Sequence, residues 1–134
     1  MRLTADTNLL VRLVVEDDEA QAKAAFRLLS TAGRVAISLP CLCELVWVLG
    51  SVYNYRADDI ADAVRSVVEP GNVVADVVSV EFGLAVLAAG GDFADGVIAS
   101  AGAAMGGETF VSFDRKAVAV VDKMGFSARL ADTS

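Results

Sequence analysis

Short β-type runs alternate with helical runs along this chain, and that order constrains the fold more than any other feature of the sequence. Parallel strands need a crossover between them, usually a helix, so the order predicts a mainly parallel sheet. We expect an α/β fold, a three-layer α/β/α sandwich formed by residues 1–134 as a single domain. Strands are expected at about residues 1–6, 35–37, 73–77, 109–112 and 126–130, and helices at about 9–15, 16–30, 39–50, 58–68, 79–89, 92–105 and 115–124.

Local signals at the ends of these elements support the assignment. Ser38 is a favourable cap for the third helix, and Pro40 is tolerated in the first turn of that helix. The acidic run that starts at Glu16 places negative charge at the beginning of the second helix, and Gly33 ends that helix.

The composition is apolar for a domain of this size. Hydrophobic residues make up 55% of the sequence, charged residues 22%, and the mean hydropathy is +0.55. We therefore expect apolar surface, from the helices around residues 42–49 and 60–68, to meet another chain, so that the protein is not a monomer. No apolar run reaches the roughly 18 residues of a membrane span. Asp6 interrupts any early signal-peptide core, so we expect a soluble, cytoplasmic protein.

The chain is acidic, with 18 Asp and Glu against 11 Lys and Arg and a net charge of −7. This charge argues against a general nucleic-acid-binding surface, which needs clustered Lys and Arg. It argues less strongly against an enzyme that acts on nucleic acid, because cations bound by carboxylates attract phosphate. The chain has no His, and Cys41 and Cys43 point to different helix faces, so we expect buried, reduced thiols and no zinc site.

Two acidic residues interrupt apolar stretches. Asp6 ends the first strand, at the edge where ligands bind in open α/β sheets. Glu44 lies one turn into an otherwise apolar helix. A buried carboxylate is costly unless it is paired or bound to metal, so both positions favour function over a structural role.

Three further carboxylates lie at the beginnings of helices. Asp92 and Asp95 are three residues apart and share a face in the first turn, where anions are favourable. Asp92 directly follows Gly90-Gly91 and is well placed to cap the helix, whereas Asp95 lies one turn deeper. Asp114 follows a strand and precedes a helix, so it is either a helix N-cap or a site residue.

Together these acidic side chains predict one site with oxygen ligands only. With no His and no set of Cys ligands, such a site suits Mg²⁺ or Mn²⁺ rather than zinc. A metal of this kind activates water and stabilises the leaving oxygen of a phosphodiester, so metal-activated water is the expected nucleophile.

The same stretches, in this order, resemble a PIN domain. More narrowly, chain length and motif order are similar to the VapC-type ribonuclease toxins of bacterial toxin–antitoxin pairs. The resemblance covers essentially the whole chain and implies a Mg²⁺- or Mn²⁺-dependent endoribonuclease, usually a homodimer, held inactive by a VapB-like antitoxin. The stretches that carry it are Asp6-Thr7-Asn8, the helical Glu44, Asp92-Phe93-Ala94-Asp95 and Val111-Ser112-Phe113-Asp114-Arg115.

The resemblance also implies roles for individual residues. The family's acidic quartet, which is catalytic and binds metal, falls on Asp6, Glu44, Asp95 and Asp114. Asp92 matches a frequent fifth carboxylate, and we expect it to act as a helix cap at the rim while Asp95 is a direct or water-mediated metal ligand. Supporting polar positions fall on Asn8 and Ser112, and the expected RNA contacts nearby in sequence are Arg12, Arg115 and Lys116. Gly96 is a mild departure, because similar toxins commonly carry Ala or another small residue there.

Three other classes of protein share parts of this pattern. A receiver-type phosphorylation domain needs two adjacent acids after its first strand, where this chain has Asp6 alone. A haloacid-dehalogenase-like phosphatase needs Asp-x-Asp, and Asn8 occupies the position of the second acid. A catalytically inactive PIN-like module that binds RNA or protein is the remaining alternative, and the presence of all four acids argues against it.

Overall fold

The computed structural model describes residues 1–133, which form seven helices and five strands. The chain separates into two units, one of Met1–Asp76 and one that begins at Val77. Every strand pairing in the two units is parallel, so the predicted α/β fold with a mainly parallel sheet is confirmed. Over residues 1–133, each helix falls short of the length and apolar character that a membrane crossing requires.

The first unit contains a three-stranded sheet in the order β1-β2-β3 and four helices. Leu3 lies opposite Val35 in the first pair of strands, and Val35 lies opposite Val73 in the second. Ser38 caps α3 as predicted, because its side chain accepts a hydrogen bond from the Cys41 N–H. The elements are β1 (Arg2–Thr4), α1 (Thr7–Val15), α2 (Glu19–Thr31), β2 (Arg34–Ala36), α3 (Leu39–Ser51), α4 (Ala57–Val68) and β3 (Val73–Val74).

The core of the first unit uses most of the apolar residues of α3 and α4. Leu42, Leu45, Leu49 and Val64 are completely buried. These helices were expected to supply free apolar surface, and that part of the expectation is wrong, because their apolar faces point into the unit itself. Trp47 of α3 remains 66% exposed.

The second unit contains a two-stranded parallel sheet and three helices. In this sheet Val111 lies opposite Arg129, and Ser112 lies opposite Leu130. The elements are α5 (Val77–Ala88), α6 (Phe93–Ala104), β4 (Phe110–Ser112), α7 (Arg115–Lys123) and β5 (Ala128–Leu130).

The boundary between β3 and α5 differs from the prediction. A strand was expected to reach Val77 and a helix to begin at Ser79, but β3 ends at Val74 and α5 begins at Val77. The run of valines favours a strand locally, because β-branched residues suit a pleated surface. Packing overrides that preference: Val80 and Leu84, four residues apart on one helix face, are both buried.

Two glycines allow α5 and α6 to approach closely. A Cβ atom added to Gly96 would lie 2.8 Å from the Gly83 Cα and 3.1 Å from the Phe82 carbonyl oxygen. A Cβ atom added to Gly83 would lie 2.9 Å from the ring of Phe93 and from Val97. Any side chain at either position would push the two helices apart, so these glycines fix where the first turn of α6 lies.

Candidate active site

Asp6 follows β1 and is the N-cap residue of α1. Its backbone is extended (φ −86°, ψ 156°), and its carbonyl oxygen accepts hydrogen bonds from the N–H groups of Leu9 and Leu10. Within the described residues the Asp6 carboxylate makes no capping bond to α1. The side chain is exposed, so the expectation that Asp6 is a buried acid is wrong. Asn8 is also exposed, in the first turn of α1.

Glu44 lies one turn into α3, and its side chain is exposed rather than buried among the apolar residues around it. The buried group at this point is the thiol of Cys41, to which Thr7 Oγ1 donates a hydrogen bond of 3.7 Å. Burial raises the pKa of Cys41, the bond from Thr7 lowers it, and the carboxylates of Asp6 and Glu44 raise it. Asp6 and Glu44 therefore lie near the same thiol, and the first unit brings two of the predicted site residues together.

The structure adds Thr7 to the residues near Asp6 and changes the expectation for Cys43. Thr7 was not among the predicted site residues. The signal that could have identified it is its position directly after Asp6, at the start of α1. Cys43 is only half-buried, which corrects the expectation that both thiols are buried.

Arg12, predicted to contact RNA, forms an ion pair with Asp17. The other oxygen of Asp17 accepts a 3.1 Å hydrogen bond from the Tyr53 hydroxyl group. Asp17 raises the pKa of Arg12, and the bonds from Arg12 and Tyr53 hold the pKa of Asp17 below its usual range despite its partial desolvation. A phosphate contact by Arg12 would have to compete with this existing pair.

In the second unit, Asp92 caps α6 as predicted. Its Oδ1 accepts a hydrogen bond of 3.1 Å from the Ala94 N–H. Asp95 lies one turn deeper and is half-buried. Burial raises the pKa of Asp95, and the nearby charges of Asp92 and Asp114 raise it further. Asp92 and Asp114 thus both lie within electrostatic range of Asp95.

Asp114 is the N-cap residue of α7. Its Oδ1 accepts hydrogen bonds from the N–H groups of Lys116 (2.9 Å) and Ala117 (3.1 Å). Ser112 steadies this turn, because its hydroxyl group accepts a 3.0 Å hydrogen bond from the Asp114 N–H. Arg115 and Lys116 are exposed in the first turn of α7. Asp114 therefore caps α7, which is one of the two roles predicted for it. Its role as a site residue stays a prediction.

The chemistry of these donors fits a hard divalent cation. Every candidate ligand is a carboxylate, and the sequence contains no His. Asp92 and Asp114 each use one oxygen, Oδ1, for capping, so the second oxygen of each is not needed for that task. Over residues 1–133, neither unit by itself brings three or more acidic or Cys side chains into a group that could hold a metal ion.

The comparison with protein families agrees with this ligand chemistry. The PIN domain model matches residues 4–123, which include every acidic residue discussed above. No curated protein and no solved structure gives a significant match to the chain. A match over this much of the sequence shows that the chain belongs to the PIN domain family, whose members are generally metal-dependent nucleases.

Proposed function

We propose that the protein is a Mg²⁺- or Mn²⁺-dependent endoribonuclease that acts in the cytoplasm as the toxin of a VapBC-type pair. The observation that carries this proposal is the match of residues 4–123 to the PIN domain model, because members of this family are generally metal-dependent nucleases. Asp95 gives further support, because its partial burial and the nearby charges of Asp92 and Asp114 make its ionised form costly unless a cation balances the charge. Membership of the PIN domain family supports a nuclease as the kind of protein that uses such a cation.

In this proposal four acidic residues hold the metal, and three polar residues support them. A bound Mg²⁺ or Mn²⁺ would activate the attacking water and neutralise charge on the phosphodiester. Asp92 fixes the beginning of α6 and Ser112 fixes the turn before α7, so both orient their acidic neighbours. The proposed metal ligands are Asp6, Glu44, Asp95 and Asp114, and the supporting residues are Asp92, Asn8 and Ser112.

Cleavage of RNA by the purified protein tests the proposal. We expect cleavage with Mg²⁺ or Mn²⁺ and none in excess EDTA, because all the candidate ligands are hard oxygen donors. Asp95→Asn should abolish cleavage without loss of fold, whereas Asp92→Asn should retain partial activity, because Asn caps a helix about as well as Asp. Undiminished cleavage in EDTA, or in Asp95→Asn, would contradict the proposal.

Basic side chains must bring RNA to an otherwise acidic protein. Arg115 and Lys116 are exposed and directly follow Asp114, so we assign them the main phosphate contacts. Arg12 is the third proposed contact, and its pairing with Asp17 predicts a smaller contribution.

A VapB-like antitoxin is the proposed protein partner. The first unit contains a cavity of about 410 Å³ whose lining includes Leu10 and Leu13 of α1, Phe26 of α2 and Val67 of α4. Phe26 is 65% exposed, so this apolar cavity has an open edge suited to a short amphipathic segment. Co-expression with any short reading frame that adjoins the gene tests this assignment. Phe26→Asp should weaken the complex while RNA cleavage by the isolated protein persists.

We also propose that the protein forms a homodimer. Because the core already uses Leu42, Leu45 and Leu49, the exposed Trp47 is the best candidate on α3 for a contact between copies. Trp47 is the one tryptophan in the sequence, so its fluorescence reports directly on burial at an interface. Light scattering should give twice the 13.9 kDa chain mass, and Trp47→Ala should lower it. A monomer at all micromolar concentrations would contradict the dimer.

A catalytically inactive PIN-like module that binds RNA or protein is the second candidate. It is favoured by the finding that neither unit alone, over residues 1–133, groups three metal-ligating side chains. Calorimetric titration with Mn²⁺ separates the two candidates. RNA binding without metal binding or cleavage would support the inactive module.

A further inference from the structure

Phe113 is unusual among the residues near the candidate site because its ring faces solvent. The side chain is 72% exposed, and Val111, two residues earlier, is 52% exposed. Leu130, in register with Ser112 on the neighbouring strand, is 37% exposed. Side chains alternate between the two faces of a strand, so Leu130 shares a face with Ser112 and not with Val111. Val111 and Phe113 are the two exposed apolar residues at this end of β4. We call Val111 and Phe113 the β4 patch.

Basic residues lie close to this patch in sequence and in strand register. From Val77 to Asp114 the sequence contains no Lys or Arg. The basic residues that follow, up to residue 133, are Arg115, Lys116, Lys123 and Arg129. Arg115 and Lys116 come directly after Asp114, and Arg129 is in register with Val111 of the patch. Three of these four basic residues, Arg115, Lys116 and Arg129, therefore lie next to Phe113 in sequence or in register with Val111.

The turn that carries the ring is well braced. On one side of Phe113 the Ser112 hydroxyl group accepts a hydrogen bond from the Asp114 N–H. On the other side the Asp114 carboxylate accepts bonds from the first turn of α7. A ring on a braced turn loses little conformational freedom when a ligand stacks on it.

We propose that Phe113 is a stacking platform for an unpaired nucleobase of single-stranded RNA, next to the phosphodiester that Asp114 faces. Proteins that bind single strands combine cations along the backbone with aromatic rings on which bases stack, and this arrangement supplies both. Bases inside a duplex are already stacked on one another, so the platform takes a base that is unpaired. The inference rests on the proposed nuclease function, to which it adds a residue that binds the substrate.

The test measures binding of a fluorescent single-stranded RNA oligonucleotide to protein that carries Asp95→Asn, so that the RNA stays intact. Adding Phe113→Ala should weaken binding by roughly 5- to 150-fold, the effect of removing one stacked base. Phe113→Trp should restore binding, and Phe113→Leu should not. Met105→Ala, which removes an apolar side chain that is 87% exposed at the end of α6, is the control and should leave binding unchanged.

An abasic scan of the oligonucleotide tests the same contact from the side of the RNA. One abasic position should weaken binding to the protein that carries Asp95→Asn alone. With an oligonucleotide abasic at that position, adding Phe113→Ala should weaken binding no further. The scan with the Asp95→Asn protein alone tests whether one base is held by the protein, even where a Phe113 variant fails to fold. Equal binding of every abasic oligonucleotide, or unchanged binding of Phe113→Ala, would overturn the proposal. So would a change in oligomeric state by light scattering without a change in RNA binding, since the ring would then contact protein.

The outcomes also separate this inference from the proposed function. RNA binding that depends on Phe113, without metal-dependent cleavage by the wild-type protein, would refute the nuclease and leave the stacking platform standing. Cleavage with an unchanged KM in Phe113→Ala would refute the platform and leave the nuclease standing.

Discussion

Replacing Gly96 by Ala tests whether the contact between α5 and α6 positions the acidic residues of the second unit. In an exposed helix, Gly→Ala stabilises by about 1 kcal/mol, because Gly loses more backbone entropy on folding. At Gly96 the new Cβ would meet the Gly83 Cα at 2.8 Å and the Phe82 carbonyl oxygen at 3.1 Å. These are backbone atoms that move only with the whole helix, so we expect an overpacking cost of about 1–3 kcal/mol.

Gly102 provides a matched control in the same helix. No described atom lies within 4 Å of a Cβ built there, so Gly102→Ala should gain helix propensity at no steric cost. The difference between the two variants isolates the overpacking cost. For a domain of this size, about 1–3 kcal/mol corresponds to a Tm difference of roughly 3–15 °C.

Thermal and urea unfolding of the two variants measures this difference, and RNA cleavage measures its consequence. Asp95 precedes Gly96, so a shift of α6 should also lower kcat, since displacing a catalytic group by about 1 Å can cost roughly 100-fold. Equal stability of Gly96→Ala and Gly102→Ala would refute the glycine contact. Unchanged cleavage in a clearly destabilised Gly96→Ala would refute the link from that contact to the acidic residues.

Three further predictions concern the charged residues. The raised pKa of Asp95 means that its contribution to stability is full below the ordinary pKa of Asp and is lost as pH rises through the raised value. In urea unfolding with EDTA, Asp95→Asn should therefore be more stable than wild type at pH 7, and this advantage should vanish in acid. If Asp95→Asn is still more stable than wild type in acid, the charge of Asp95 is not the cause of the difference. Asp114→Ala should cost about 1 kcal/mol of stability through loss of the cap, whereas Asp114→Asn should keep the cap and lose cleavage. Equal unfolding midpoints for Asp114→Ala and wild type would refute the capping role of Asp114. Changing Arg115 and Lys116 together to Ala should reduce the salt slope of single-strand binding by about 0.7 for each RNA phosphate that these side chains neutralise. An unchanged slope would show that they are only solvated helix residues.

The sequence by itself determined the features that depend on a few neighbouring residues. Ser38 and Asp92 were predicted as helix caps from their place before apolar helical runs, and both make the expected bonds. The alternation of strands and helices was enough to predict parallel pairing, because parallel strands require crossovers. Membership of the PIN domain family was also predicted from sequence, because four short stretches occur in an order that resembles this family.

Only the tertiary structure decided exposure and contacts between distant segments. Asp6 and Glu44 were expected to be buried because their sequence neighbours are apolar, yet both are exposed, since solvent access depends on which elements pack around a residue. The hydrogen bond from Tyr53 to Asp17, the ion-pair partner of Arg12, also joins residues 36 positions apart in sequence. Gly96 looked like a mild departure in sequence. The structure gives it a physical role, because the Gly83 Cα that it meets lies on a different helix, and no local pattern encodes that distance.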